Sequence, residues 1–211
     1  MPQEKTLIYH ITHINNLKGI IERDGLVAQS IIARESIEYC NIAHNTVQDR
    51  REHTNVPLQP GGNLHDYVPF YFAPRSPMLY AINMKNVADC MATQLDIVYL
   101  VSSVENVAQS NVEFVFTDGH AIMAISDFYR DLDDLRLVDW KIMEEKYWAD
   151  TDDDPDSKRR RQAEFLVYKV FPWENIEYMA VKSNPIKTKV ENIIANASIK
   201  HHVLVKPDWY Y

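Results

Sequence analysis

The chain has 211 residues, of which 46% are hydrophobic and 25% are charged, a composition typical of a globular protein with one sizeable core. Its formal net charge of -8 argues against non-specific binding of nucleic acid driven by phosphate neutralisation, but leaves room for a short basic channel on an acidic body. No run approaches the roughly 18 apolar residues of a membrane span and no apolar signal segment begins the chain, so we expect a cytoplasmic protein without a membrane partner.

Short strands and helices are predicted to alternate in the N-terminal half. In chain order, the predicted elements are a strand at residues 7–12, a helix at 14–23, a polar stretch with a weak helical period at 30–53, a loop at 57–62, a strand at 67–73 and a short helix at 78–83. Pro77 suits the first turn of that last helix.

The C-terminal half is predicted to be richer in strands. The predicted elements are strands at residues 97–101 and 112–117, a helix at 126–148, an exposed acidic loop at 150–157, strands at 165–171, 178–181 and 202–205, and a helix that begins near 186. We find no internal repeat and no clean linker. The pattern therefore predicts one α+β domain over residues 1–211, mostly antiparallel, with long loops of the kind that carry functional sites.

Several familiar kinds of catalytic motif are absent from the sequence. The eight histidines show neither HExxH nor cysteine-rich spacing, so we predict no metal site. The run Pro60-Gly61-Gly62 lacks the Gly-Lys-Ser/Thr ending of a phosphate loop, and no GxSxG signals a nucleophilic serine. A two-metal nuclease would need clustered carboxylates that the pattern does not provide.

One carboxylate, Glu164, stands at the start of a predicted half-buried strand, directly after the basic group Lys158 to Arg161. Burying it costs several kcal/mol unless it is paired or hydrated. It is therefore either a salt-bridged residue at the edge of the sheet or a working carboxylate in a cleft. Three other residues beside strands, His10, Tyr71 and Arg75, leave the same choice between an ordinary structural role and a site.

Four blocks in a fixed order carry a resemblance to a known family. They are YHITHINNL at residues 9–17, GGNLHDYVPFYF at 61–72, PRSPMLY at 74–80 and QAEFLVY at 162–168. Together with the ending KPDWYY, they make the chain resemble DarT, a family of DNA ADP-ribosyltransferase toxins from bacterial toxin–antitoxin pairs, and its thymine-modifying branch most closely. The resemblance implies an ADP-ribosyltransferase-like fold, with two small antiparallel sheets around an NAD cleft and helical insertions.

The resemblance also implies roles for particular residues. Glu164 matches the catalytic glutamate of the family, and Arg51 matches its functional arginine. The implied NAD-binding residues are His10, Thr12, Asn16, Leu17, Arg51 and Tyr71, and the implied DNA-binding residues are Arg75, Met78, His120, Lys158 and Arg161. NAD is implied as the ADP-ribose donor, and no metal is implied.

Elementary chemistry agrees with these roles. Breaking the bond between nicotinamide and ribose develops positive charge on the sugar, which a nearby carboxylate stabilises. A cation beside thymine favours the deprotonated ring, so Arg51 suits an electrostatic role, while its action as a base stays open because arginine is a poor proton acceptor. An enzyme that works on the pairing edge of a base needs that base unpaired, which favours single-stranded DNA.

The resemblance thus implies a toxin that transfers ADP-ribose from NAD to thymine in single-stranded DNA, selects its target by sequence and blocks replication. It also implies a partner antitoxin with a macrodomain that removes ADP-ribose. Transfer to RNA, guanine or protein, and a non-catalytic DNA-binding module of the same fold, stay open as alternatives. Residues 31–47 depart most from the family, so the sequence does not predict the target motif.

Overall fold

The computed structural model describes residues 5–88 and 90–211. The strands are β1 (Leu7–His13), β2 (Gly25–Val27), β3 (Tyr67–Tyr71), β4 (Ile97–Ser103), β5 (Phe114–Thr117), β6 (Phe128–Tyr129), β7 (Glu164–Tyr168), β8 (Val170–Pro172), β9 (Tyr178–Val181) and β10 (His202–Val205). The α-helices are α1 (Leu17–Glu22), α2 (Gln29–Arg34), α3 (Asn45–Glu52), α4 (Pro77–Asn83), α5 (Val104–Gln109), α6 (Trp140–Glu144), α7 (Ser157–Arg160) and α8 (Asn184–Ile193). Within those two ranges, no helix has the length and apolar character needed to cross a membrane.

Eight strands form one sheet in the order β10-β9-β4-β1-β3-β7-β5-β6, and β2 pairs with β8 in a separate two-stranded sheet. All neighbours are antiparallel except β9 and β10. Pairing between β1 and β3 is confined to Tyr9 and Tyr71, whereas β1 pairs with β4 along its whole length. The two small sheets implied by the resemblance are therefore two four-stranded halves of one sheet, joined by a single residue pair. The α+β class is confirmed.

The core explains why the central strands tolerate so few polar residues. Every residue of β4 is buried, and separate apolar clusters pack against the sheet around Phe165 and Trp173, around Tyr99 and Tyr210, and around Tyr67. A strand covered on both faces needs apolar residues in succession, as in Ile97-Val98-Tyr99-Leu100-Val101. Against this background, a carboxylate at the start of β7 stands out.

The predicted helix over residues 126–148 is wrong. The segment contains the two-residue strand β6, a 3-10 helix at Leu132–Leu137 and the short helix α6. The side chain of Asp131 accepts from the backbone of Asp133, and that of Asp139 accepts from Ile142, so each acid begins a new short element. Apolar residues three apart fit a 3-10 turn as well as an α-helix.

The other predicted elements are found with shifted ends. Both helices α2 and α3 lie in the polar stretch 30–53, and the strand predicted at 165–171 is divided into β7 and β8. Lys169, between those two strands, adopts a φ of 59°, which interrupts the extended backbone. The acidic loop 150–157 is mostly exposed, but its Asp154 forms an ion pair with Arg160.

Candidate active site

A cleft of about 250 Å³ opens where the two halves of the large sheet meet. Its wall is formed by residues from β1, β3, β7, α3 and the loop after β5, among them His10, Thr12, Asn16, Arg51, Tyr71, His120 and Glu164. The pairing register explains this convergence, because Tyr71 lies opposite both Tyr9 on β1 and Glu164 on β7. Long-range strand pairing thus assembles most of the predicted NAD-binding residues on one wall.

Glu164 and Arg51 form a buried ion pair in this cleft. Arg51 Nη1 donates to Glu164 Oε2 at 2.7 Å, and the two side chains are 9% and 2% exposed. The other carboxylate oxygen, Oε1, accepts from the backbone N–H of Ala121 at 3.1 Å. Burial of either charge is tolerable only because each faces a partner. Nη2 of Arg51 is buried without a hydrogen-bond partner in the described part of the chain, so this donor is available to a ligand.

The loop Asp118–Ser126, here called the catalytic loop, supplies the Ala121 N–H. Its first turn is fixed by Thr117, whose hydroxyl donates to the carbonyl of Gly119 at 2.6 Å and accepts from the N–H of Glu164 at 3.1 Å. The carboxylate and the loop that binds it are therefore tied together through one buried hydroxyl.

Arg159 on α7 fixes the same loop from the opposite side. Its guanidinium donates to Asp118 and Ser126, both at 3.2 Å, and forms a bidentate pair with Asp156. Its carbonyl accepts from the N–H of His120 at 3.0 Å. An arginine with several charged partners that is only 11% exposed is a strong positional constraint, so Arg159 holds the catalytic loop against β7.

His10 and Tyr71 present neutral polar groups to the cleft. Burial lowers the pKa of His10 to about 4, although a hydrogen bond to the carbonyl of Pro69 opposes this shift. Nδ1 lies 2.8 Å from that carbonyl oxygen, so Nδ1 carries the proton and Nε2 is left as an acceptor. Burial also raises the pKa of Tyr71 well above 10, the charge of Glu164 adds to this, and Arg51 opposes it. Tyr71 therefore keeps its hydroxyl proton as a donor.

Asn16 lines the cleft with a side chain that is already hydrogen-bonded to other residues, and Leu17 lies in the core behind it. The side chain of Asn16 donates to Thr12 Oγ1 at 3.1 Å and to the carbonyl of Cys40 at 3.0 Å, and it accepts from the N–H of Cys40 at 2.7 Å. It thus fixes residues 37–43, which line the cleft. Leu17 is fully buried in the core and is not among the lining residues.

A second, wider groove of about 960 Å³ continues from the cleft. The two cavities share five lining residues: Ala43, Val47, Tyr71, Met78 and His120. Burial lowers the pKa of His120, although the charge of Glu164 opposes this shift, so its imidazole is neutral near pH 7. Arg75 and Lys158 also line the groove. Four of the five residues predicted to bind DNA therefore lie along one continuous surface.

Arg161 is the fifth, and the structure separates it from the other four. Its residue is 3% exposed, and its guanidinium donates to the backbone carbonyls of Ile142, Met143 and Arg75. This geometry fits a brace between α6 and the segment after β3. A basic run in a sequence does not reveal which of its members points inward; here Arg161 is buried and Arg159 is partly buried.

Sequence reasoning missed the groups that hold Glu164 and its neighbouring loop: Thr117, the Ala121 N–H and Arg159. The backbone donor has no residue-type signal, and the Arg159 contacts depend on the fold. Within residues 5–88 and 90–211, no group of three or more His, Cys, Asp or Glu side chains is arranged to hold a metal ion. The geometry presents a carboxylate, fixed dipoles and a cation in the cleft, which suits stabilisation of a developing positive charge.

Comparison with known proteins gives consistent matches along the chain. The family model described as ssDNA thymidine ADP-ribosyltransferase, DarT, matches residues 9–211. A DNA ADP-ribosyl transferase of Thermus sp. (strain 2.9) is 45% identical over 99% of this chain and 97% of its own length.

Two solved structures of Thermus sp. 2.9 DarT share the fold. The complex with ADP-ribosylated ssDNA superposes with a TM-score of 0.92 at 43% identity and covers 99% of this chain and 97% of that one. The complex with NAD+ gives a TM-score of 0.85 at 41% identity and covers the whole of both chains. A Thermosipho africanus fusion of a DNA ADP-ribosyl transferase with a DNA ADP-ribosyl glycohydrolase is 27% identical over 97% of this chain and 49% of its own length.

Proposed function

The chain belongs to the DarT family of ssDNA thymidine ADP-ribosyltransferases, and we propose that Glu164 and Arg51 carry its reaction, the transfer of ADP-ribose from NAD to thymine in single-stranded DNA. The observation that supports these roles is the buried Glu164–Arg51 pair in a narrow cleft, two of whose lining residues, Tyr71 and His120, also line a wider groove. The cleft holds NAD in this proposal, and the groove holds the DNA strand.

Glu164 acts on the sugar. The bond between the ribose C1′ and the nicotinamide nitrogen breaks, the leaving nicotinamide keeps the electron pair, and positive charge develops on the ribose. The carboxylate stabilises that charge and accepts from a ribose hydroxyl. Its orientation is already fixed by the Ala121 N–H and the Arg51 guanidinium, so little reorganisation is needed during the reaction.

Arg51 acts on the acceptor. A ring nitrogen of thymine attacks C1′ and releases its proton to water as the new bond forms. A neighbouring cation lowers the free energy of the deprotonated ring. Nη2 of Arg51, a residue of the cleft wall, is a buried donor with no partner among the described residues. The role is electrostatic, because a guanidinium holds its proton too tightly to act readily as a base.

The remaining predicted residues bind the two substrates. His10, with Nε2 as an acceptor, and Tyr71, with a protonated hydroxyl, contact NAD, while the backbone of Thr12 binds the nicotinamide amide. Asn16 and Leu17 act indirectly, by fixing the wall of the cleft.

In the groove, Arg75, Met78, His120 and Lys158 contact the strand. A groove lined by basic residues suits single strands, whose bases are free to turn towards the reacting sugar. Arg161 supports this surface through the carbonyl of Arg75 rather than by direct contact.

The biological role in this proposal is that of a toxin. Bulky ADP-ribose on the pairing edge of thymine blocks template reading, and hence replication, at sequences that the enzyme selects. The fusion protein of Thermosipho africanus, which joins a transferase to a glycohydrolase, supports a partner antitoxin with a macrodomain that reverses the modification. We place the enzyme in the cytoplasm, where DNA and NAD meet, and treat residues 1–211 as one domain.

Incubation with labelled NAD and a panel of acceptors tests this function. The panel contains single-stranded oligonucleotides with and without thymine, a duplex, an RNA and a protein extract. Label on thymine-containing single strands alone is the expected result. Label on guanine, RNA or protein, with none on thymine, would replace the proposed acceptor, and DNA binding without turnover on any acceptor would favour a non-catalytic module.

A further inference from the structure

Three aromatic rings of the groove lie against one another. They belong to Tyr80, Trp148 and Tyr211, here called the aromatic wall; Tyr71 and Tyr147 also line the groove. The ring of Tyr80 meets that of Trp148 at a centroid distance of 6.1 Å and that of Tyr211 at 5.1 Å, both edge to face. Each ring is thereby held in place by another, while Tyr80 remains 42% exposed. The wall is a rigid apolar surface that faces solvent.

Positive groups surround this wall. The guanidinium carbon of Arg75 lies 5.6 Å from the centroid of the Tyr211 ring, and Lys146 and Lys158 line the same groove. One carboxylate, Asp150, also lines it, and an oxygen of that carboxylate accepts from the backbone N–H of Lys158. On a chain with a net charge of -8, three cations beside exposed rings are a local exception that suits a polyanion.

The wall is continuous with the catalytic centre. Tyr71 and His120 line both the groove and the cleft that contains Glu164. A strand that presents one base to Glu164 therefore extends into the groove on at least one side. Its phosphates pass the cations, and its next unpaired base meets an aromatic surface.

We propose that the aromatic wall is a base-stacking subsite for a nucleotide that flanks the modified thymine in single-stranded DNA. This inference rests on the proposed function of the chain. Stacking on an aromatic side chain strengthens binding by roughly 5- to 150-fold for each base and tolerates any base, because every base has a π-face. The subsite therefore contributes binding affinity at a fixed distance from the target thymine. A preference for particular bases at this position arises only because larger bases stack better.

The test combines protein variants with abasic sites in the DNA. The probe is the oligonucleotide from the acceptor panel that the wild type modifies fastest, measured without NAD so that no turnover occurs. Fluorescence polarisation gives its Kd, and a series of probes replaces each nucleotide near the target thymine, one at a time, by an abasic residue. Tyr80→Ala removes the ring, and Tyr80→Phe is the matched control that keeps it.

We expect one flanking position at which the abasic residue weakens binding to the wild type by roughly 5- to 150-fold. At that position alone, the abasic residue should cause little further loss in Tyr80→Ala, whereas Tyr80→Phe should behave as the wild type. Equal losses in Tyr80→Ala and the wild type at every position would overturn the proposal. So would unchanged DNA binding by Tyr80→Ala together with loss of inhibition by a macrodomain protein, which would make the wall a protein-docking surface.

Trp148 gives a second readout that does not depend on Tyr80. Its fluorescence, isolated by comparison with Trp148→Phe, should be quenched when the intact probe binds and not when the critical position is abasic. Quenching that is independent of that base would contradict stacking. Failure of the wild type to modify any oligonucleotide of the acceptor panel would refute the proposed function itself, so the two failures are distinguishable.

Discussion

Removing one charge of the Glu164–Arg51 pair is expected to destabilise the protein more than removing both charges. Glu164→Gln keeps the shape of the side chain and its contact with the Ala121 N–H but leaves Arg51 buried without a counter-charge. Breaking a buried pair from one side typically costs about 3–5 kcal/mol. The side chain of Arg51 is 9% exposed at the cleft and can recover some hydration, so we expect about 3 kcal/mol. For a chain of this size, that corresponds to a Tm lower by roughly 6–12 °C.

Arg51→Met is expected to be similarly harmful, since it leaves the Glu164 carboxylate, 2% exposed, with only the Ala121 N–H and any water that enters. The double variant with Arg51→Met and Glu164→Leu removes both charges. Because apolar replacement of a buried pair is often neutral or stabilising, its unfolding free energy should return to within about 1 kcal/mol of the wild type.

The assay is urea-induced unfolding at pH 7, followed by circular dichroism and by tryptophan fluorescence, with the slope m compared among all four proteins. Single variants as stable as the wild type would refute the claim that the pair is buried and coupled. A double variant no more stable than either single variant would refute it equally.

Three further predictions concern the surroundings of the site. Burial holds the pKa of His10 in the folded protein at about 4, below its ordinary 6.5. The stability that this neutral histidine contributes is therefore fully present above pH 6.5 and is lost as the pH falls towards 4. In His10→Gln the urea midpoint should depend less on pH over that window, and an unchanged pH dependence would contradict this. In Gly119→Ala the new Cβ would lie 2.2 Å from Arg159 Nη1, so we expect about 1–3 kcal/mol of destabilisation and slower transfer with an unchanged KM for NAD. A variant with wild-type rates would show that Arg159 does not position the catalytic loop. Burial raises the pKa of Asp66, but hydrogen bonds from Lys169 and Ser30 outweigh this effect, so the pKa lies below the usual value. Asp66→Asn should therefore lower the free energy of unfolding at pH 7. The difference in unfolding free energy from the wild type should shrink below about pH 4 and not above it.

Local pattern predicted the strands better than the segments between them. The runs at β1, β4 and β9 are apolar, short and bounded by polar residues, so periodicity alone locates them. Residues 126–148 misled the same reasoning, because Asp131 and Asp139 cap short elements and spacing by three does not separate an α-helix from a 3-10 turn. Whether an acidic side chain caps a helix depends on tertiary packing as well as on the local sequence.

The sequence predicted which types of residue form the site, but few of the contacts that these residues make. A glutamate at the start of a buried strand requires a partner, and that requirement could be read from the sequence. The family resemblance named Arg51 as a functional residue, but its pairing with Glu164, 113 residues away, was not predicted. The backbone N–H of Ala121 and the inward turn of Arg159 and Arg161 have no sequence signal, because they depend on how the loop after β5 lies against β7.

The most direct test of the account is mass spectrometry of thymine-containing single-stranded oligonucleotides after incubation with NAD, with wild type and Glu164→Gln compared below the Tm of the variant. The account predicts that the wild type adds one ADP-ribose to a thymine and that the variant does so at least about 100-fold more slowly. No addition by the wild type to any thymine-containing strand, or equal rates for the two proteins, would contradict it.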